Sequence, residues 1–176
     1  MKLGCALGLT CASMTLFIGC EKSSAPAAPP APASTNAFNP NRAQPKLPTT
    51  KLWLGAQELT AELAVRPQEI MTGMMFRQTM EEHEAMLFIF TSADRRSFWM
   101  KNVSLTLSCA YIDSDGVILE LHDLKPLEEK PVESTSDKIQ YVLETRQGWF
   151  ERNKIAVGTL VRTEKGSLRE SFFRRR

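Results

Sequence analysis

Ser104-Leu105-Thr106-Leu107-Ser108-Cys109-Ala110-Tyr111-Ile112, then Asp113-Ser114-Asp115-Gly116, then Val117-Ile118-Leu119-Glu120-Leu121, is the stretch that decides the fold class. Leu105, Leu107, Cys109 and Tyr111 alternate with Ser104, Thr106, Ser108 and Ala110. Successive side chains of a strand point to opposite faces, so this alternation predicts a half-buried strand. Asp113 to Gly116 supplies hairpin-turn chemistry, with aspartates that bond their own backbone and a glycine free to turn left-handed. Val117 to Leu121 then returns as the partner strand.

The same reading extends in both directions. Upstream, Leu52-Trp53-Leu54, a Gly55 turn and Leu59 to Val65 predict an opening hairpin. Pro67 suits the first turn of a short helix, with Ile70, Met71, Met74 and Met75 on one face and Gly73 near its end. Met86 to Phe90 is wholly apolar, the pattern of a strand buried on both faces, and Phe98-Trp99-Met100 starts the next strand. Downstream, Pro126 to Asp137 is a loop, Ile139 to Thr145 a strand, Gly148 to Asn153 a short helix, and Thr159 to Thr163 a closing strand. The expectation is a mainly β (α+β) domain, compact and largely antiparallel, barrel- or sandwich-like, with two short helices.

The chain has 176 residues, 43% apolar and 24% charged, which excludes a wholly disordered chain and a polytopic membrane protein. A net charge of +2 is too balanced for a dedicated nucleic-acid binder. Two histidines and four cysteines leave little room for a multi-ligand zinc site.

Residues 1–20 read as an export signal: Lys2, an apolar run from Leu3 to Ile18, and Phe17-Ile18-Gly19-Cys20, which resembles a lipobox with Cys20 as the lipid carrier. Phe17 stands where leucine is usual. Plain secretion or an uncleaved anchor are the alternatives. Glu21, rather than aspartate, favours the outer membrane of a two-membrane envelope. Cys5 and Cys11 leave with the signal, so Cys109 would be alone in the folded part. Residues 21–50 form a Pro/Ala-rich tether carrying seven of the ten prolines. The globular domain spans 51–168, and 169–176 is a basic tail ending Arg174-Arg175-Arg176.

Five segments resemble the domain of unknown function 192 family in order and spacing. They are Gly73-Met74-Met75-Phe76-Arg77, Ala85-Met86-Leu87-Phe88, Phe98-Trp99-Met100-Lys101-Asn102, Asp113-Ser114-Asp115-Gly116, and Tyr141-Val142-Leu143-Glu144 followed by Gly148-Trp149. The resemblance covers the whole domain and implies a small β-rich fold, often exported, with no established activity, substrate or cofactor. It departs at Thr106-Leu107-Ser108, where the family usually has proline-leucine-aspartate, at Ala85 for glycine, and at Val132 for tyrosine. A ligand or metal role of that aspartate in relatives would be lost or altered here.

Several side chains are candidates for function. On a strand, Trp99 and Lys101 share a face, with Met100 and Asn102 on the other. Trp99, Lys101 and Asn102 together would cradle a small polar or glycan-like ligand, by stacking and directed hydrogen bonds. The alternative is a buried Trp99. Arg77 could hold a carboxylate or phosphate, and Glu144 is its expected partner, as a ligand-supporting pair or a structural salt bridge. Met74, Met75, His83, Met86 and Met100 could offer soft ligands to copper, against the alternative that the methionines fill the core. Asp113 and Asp115 read as an exposed turn rather than a calcium loop. Arg95-Arg96 reads as a solvated turn. His122 beside Asp123 could do acid/base work in an unrecognised hydrolase, as could Glu144. An exposed patch at Trp149 and Phe150 would mark a structural partner of an envelope complex. The leading reading is a non-enzymatic, lipid-anchored binding module of the bacterial envelope. It takes no resident cofactor and contacts the membrane through its anchor; oligomeric state stays open.

Overall fold

The structure is a computed structural model that describes residues 41–173. The signal segment with Cys20, most of the tether, and Arg174-Arg175-Arg176 lie outside the described residues. The opening hairpin forms as expected: β1 (Thr49–Leu54) and β2 (Gln57–Ala64) pair antiparallel around Gly55, whose φ of 61° a glycine adopts without steric cost. After α1 (Pro67–Thr72), β3 (Glu84–Asp94) returns parallel to β2, because helix and loop carry the chain back to the sheet's starting end.

Then come β4 (Ser97–Phe98), β5 (Leu107–Asp113), β6 (Ile118–Leu124), β7 (Val132–Glu133) and β8 (Ile139–Arg146). The chain ends with α2 (Trp149–Arg152), β9 (Val161–Thr163), β10 (Gly166–Ser167) and α3 (Leu168–Phe172). Eight strands form one sheet in the order β10-β9-β1-β2-β3-β8-β5-β6, and β4 pairs with β7 in a small second sheet.

The mainly β expectation is borne out, as a large mixed sheet, with 44% of the described residues in strands and 11% in helices. Its ends approach at one bridge, Val117 with Leu160, and the sheet does not close into a barrel. The β5–β6 hairpin turns where Asp113 to Gly116 predicts, with Asp113 Oδ1 accepting from the N–H groups of Asp115 and Val117.

Both faces of the sheet are buried. One carries Leu52, Leu54, Leu59, Leu87, Leu143 and Ile118, with Trp149, Phe150 and Leu168 packed onto it from the C-terminal helices. The other carries Met86, Phe88, Leu107, Cys109, Tyr111 and Val142 beneath Met74, Met80, Met100 and Val103 of the connecting segments. This second face, under a loop cover instead of helices, holds most of the candidate residues.

Four details differ from the expectations. A third short helix, α3, occupies part of the segment read as tail, and Phe172 and Phe173 pack against the core. The end of the segment read as tether docks on the domain: Leu47 is buried, and the Gln44 amide donates to the carbonyls of Glu69 and Gly73. Helix α1 stops at Thr72, so Met71 is 64% exposed, while Met74 reaches the core from the turn after Gly73. Strand β4 ends at Phe98, and Trp99 to Asn102 form a turn.

Candidate functional site

Strand register builds a row of polar and sulfur side chains across the second face. Glu62 of β2 pairs with Met86 of β3, Met86 with Glu144 of β8, Glu144 with Cys109 of β5, and Cys109 with His122 of β6. Residues directly opposite in a ladder point to the same face, so these five side chains line up at right angles to the strands.

Glu144, at the centre, is 4% exposed, and its Oε2 has no hydrogen-bond partner. Burial pushes its carboxyl up to about 8, because the charged form loses water and gains no donor. Burial, and then the neighbouring Glu144, push the Cys109 thiol far above its ordinary range, so it is an inert packed thiol rather than a nucleophile.

The expected Arg77–Glu144 pair is not formed. The Arg77 guanidinium pairs instead with Glu62 at 2.8 Å, both side chains 12% exposed, and its Nε is unpartnered. Glu62 also accepts from the Leu47 N–H, at 2.7 Å. Arg77 and Glu144 thus reach one face of the sheet but stay two strands apart, with Met86 between them.

Over this face sits a cluster of strained loops. Phe76, Asn102 and Leu127 have φ of 62°, 58° and 60°, in the left-handed region that bulky residues avoid. They belong to adjoining turns: the Phe76 N–H donates to Asn102 O, Leu127 N–H to Val103 O, and Met100 N–H to Glu128 O, each at 2.8–2.9 Å. The turns anchor Met100 in the core and send Trp99 and Leu127 outward, 45% and 62% exposed. Lys101 places its ammonium 5.3 Å from the centre of the Trp99 ring. Trp99 and Lys101 are therefore together, as expected, but through a turn, and Trp99 is not buried. Asn102 is exposed and contributes its backbone carbonyl to the loop junction.

Other expectations resolve differently. His122 and Asp123 are adjacent in a strand and so point to opposite faces. His122 Nε2 meets Glu120 at 3.1 Å and its ring stacks edgewise on Tyr111, whereas Asp123 accepts from the Ser108 hydroxyl. His122 and Asp123 therefore form no acid/base pair. Burial alone would raise Glu120. Hydrogen bonds from the Ser136 and Thr135 N–H groups, the Thr135 hydroxyl and His122 bring it down to about 2. Trp149 and Phe150 are buried, so they make no exposed patch. Arg96 covers the Phe90 ring and bonds Ser134 and Ile139, a structural role, and Asp113 bonds its own turn. Of the copper candidates, Met74, Met86 and Met100 share the core, Met75 packs partly against it, and His83 is exposed on the turn before β3.

Sequence reasoning passed over Glu62 and Leu127. Glu62 alternates out of phase with Leu59, Ala61 and Leu63, the signal of a charge facing a second buried surface. Leu127 is the one apolar side chain in the charged run from Lys125 to Lys130, apart from Pro126. Ser108, at the position where the resemblance misses an aspartate, accepts from the Gly148 N–H and donates to Asp123, so the strand end is held without that carboxylate.

Residues 50–163 match the family model DUF192, described as Uncharacterized ACR. No curated protein matches the chain. Among solved structures, it is similar to a protein of Sinorhizobium meliloti provisionally described as a transcription regulator. The identity is 32% and the TM-score 0.61, over 65% of this chain and 92% of that one. It is also similar to a protein of unknown function from Novosphingobium aromaticivorans, at 25% identity and TM-score 0.59, over 64% of this chain and 82% of that one.

Proposed function

The chain belongs to the DUF192 family, and we propose that this member is a lipid-anchored binding module of the bacterial envelope whose contact surface is the turn cluster at Trp99, Lys101 and Asn102. The observation that carries this reading is the meeting of Phe76, Asn102 and Leu127, three left-handed non-glycine residues, beneath an outward-facing tryptophan. Strain of this kind costs on the order of 1–3 kcal/mol per residue and gathers where a particular surface must be held. Here the surface held is a flat indole with an ammonium on one side and Leu127 on an adjoining loop.

Such a surface suits a small polar or glycan-like ligand. The free part of the indole stacks on an apolar sugar face, and Lys101 binds an oxygen or anionic group at its edge. Arg77 and Glu144 support the loops and the sheet beneath and make no contact with ligand.

The experiment is a titration of the parent and of W99A with soluble envelope glycan fragments, read by isothermal titration calorimetry. W99A is expected to weaken binding at least ~10-fold, the loss of a stacking contact of about 1–3 kcal/mol, with an unchanged melting temperature. Equal affinity of W99A and the parent overturns the site.

The anchor has its own test. In cells, C20S is expected to move the protein from the membrane pellet to the soluble extracytoplasmic fraction, because a diacylated cysteine supplies the membrane affinity. Unchanged membrane retention rejects lipidation at Cys20.

A further inference from the structure

We propose a buried site for one soft monovalent cation, Cu(I), between the Met86 thioether, the Glu144 carboxylate and the Cys109 thiolate. The three are consecutive members of the row across β3, β8 and β5. Neighbouring strands lie about 4.8 Å apart, so a cation above Glu144 is flanked by a sulfur from either side. The side chain that calls for an occupant is Glu144 itself, nine-tenths buried and more, with Oε2 left without a donor. A buried carboxyl of this kind is either kept protonated or met by a cation.

The ligand set selects the ion. Thioether and thiolate are soft donors that suit Cu(I). Calcium and magnesium require six or more oxygens. Among the described residues no three His, Cys, Asp or Glu side chains gather for a harder metal. Further thioethers lie on the same face. Met74 and Met80, both in the core cluster with Met86, line a pocket of about 90 Å³ that also touches Glu62, Arg77, Lys46 and Glu84. The pocket's two cations are already paired, Arg77 with Glu62 and Lys46 with Glu84. Glu62 is the row's next member before Met86.

The chemistry balances without a redox step. Cu(I) enters, the Glu144 carboxyl releases one proton to solvent, and a carboxylate–copper bond replaces the O–H bond. The Cys109 thiol likewise releases its proton to solvent and a copper–thiolate bond replaces the S–H bond, so two protons leave and the loaded site carries one negative charge.

The test uses the full chain in detergent with C5S, C11S and C20S, so that Cys109 is its one thiol. Cu(I) is added without oxygen. Stoichiometry is read by native mass spectrometry, and affinity by competition with a chromogenic Cu(I) chelator. One Cu(I) per folded chain is expected, with two protons released. M86L and E144Q are expected to weaken binding by more than about 100-fold, beyond the loss from an outer partner, while near-ultraviolet circular dichroism shows the fold intact. W99A binds Cu(I) as the parent does, which keeps this outcome separate from that of the glycan site. Absence of Cu(I) on the folded chain overturns the proposal. So does parental affinity in M86L and E144Q with loss in C109S alone, which is the behaviour of a lone thiol.

Discussion

E144Q is expected to make the metal-free protein more stable at pH 8 and to flatten its stability between pH 5 and 8. Glu144 titrates at about 8 in the folded protein because burial disfavours its charged form, against an ordinary value of 4.5 in the unfolded chain. Across that interval the folded state holds a proton that the unfolded state has released. Stability therefore is greatest below the unfolded value, falls as pH rises, and levels off above the folded value. Each unit of separation is worth about 1.4 kcal/mol, so the whole fall is on the order of 3–5 kcal/mol. Glutamine has the same shape and no titration. Urea unfolding of parent and E144Q at pH 5, 6.5 and 8 measures the effect. A parent curve that rises from pH 5 to 8 contradicts the assignment, and so does an E144Q curve with the parent's slope.

Loss of Arg77 is the second large effect. Its guanidinium and the Glu62 carboxylate are both largely withdrawn from water, 2.8 Å apart. Removing one partner of such a pair leaves the other charge buried and uncompensated, at a cost of about 3–5 kcal/mol. R77A is expected to lose stability of that order and to loosen the chain at Pro45 to Leu47, because Arg77 also reaches the Pro45 carbonyl and Glu62 accepts the Leu47 N–H. The double variant R77M/E62M is expected to recover most of the loss, since two apolar side chains fill the site without a buried charge. Equilibrium unfolding gives the energies, and proteolysis near residues 45–47 the loosening. A loss under 1 kcal/mol in R77A marks the pair as a solvent-screened surface contact instead.

The two effects separate what kinds of inference reach a site. Glu144 stands out in the sequence as an acid in the apolar strand Ile139 to Thr145, and burial of that strand makes its environment readable. Arg77 is equally visible beside Met74 and Met75. Their partners are not visible, because side-chain pairing across a sheet depends on which strands are neighbours, and β3 lies between β2 and β8 through a parallel return. That order puts Glu62 under Arg77 and Met86 between it and Glu144.

The Trp99 turn shows the same limit at shorter range. Residues 97–102 have the apolar content of a strand, yet the Met100 and Leu127 N–H groups bond across to the 125–128 and 103 backbones and hold a turn there. Alternation would have placed Trp99 and Lys101 on one face; the turn brings them together by a different path and leaves the indole in solvent. His122 and Asp123 illustrate the converse. Their adjacency suggests a pair, while the two-residue period of a strand sends them to opposite faces.

The sequence by itself determined the long strands, the hairpin at Asp113 to Gly116, the family, and which side chains carry chemistry. These follow from local periodicity, turn preferences and the matched motifs. Tertiary structure alone decided that the sheet stays open with both faces buried, that Arg77 pairs with Glu62, that Glu144 stands without a donor between Met86 and Cys109, and that Trp99 faces solvent. Each of these depends on strand order and loop-to-loop hydrogen bonds between residues distant in the chain, which local pattern does not encode.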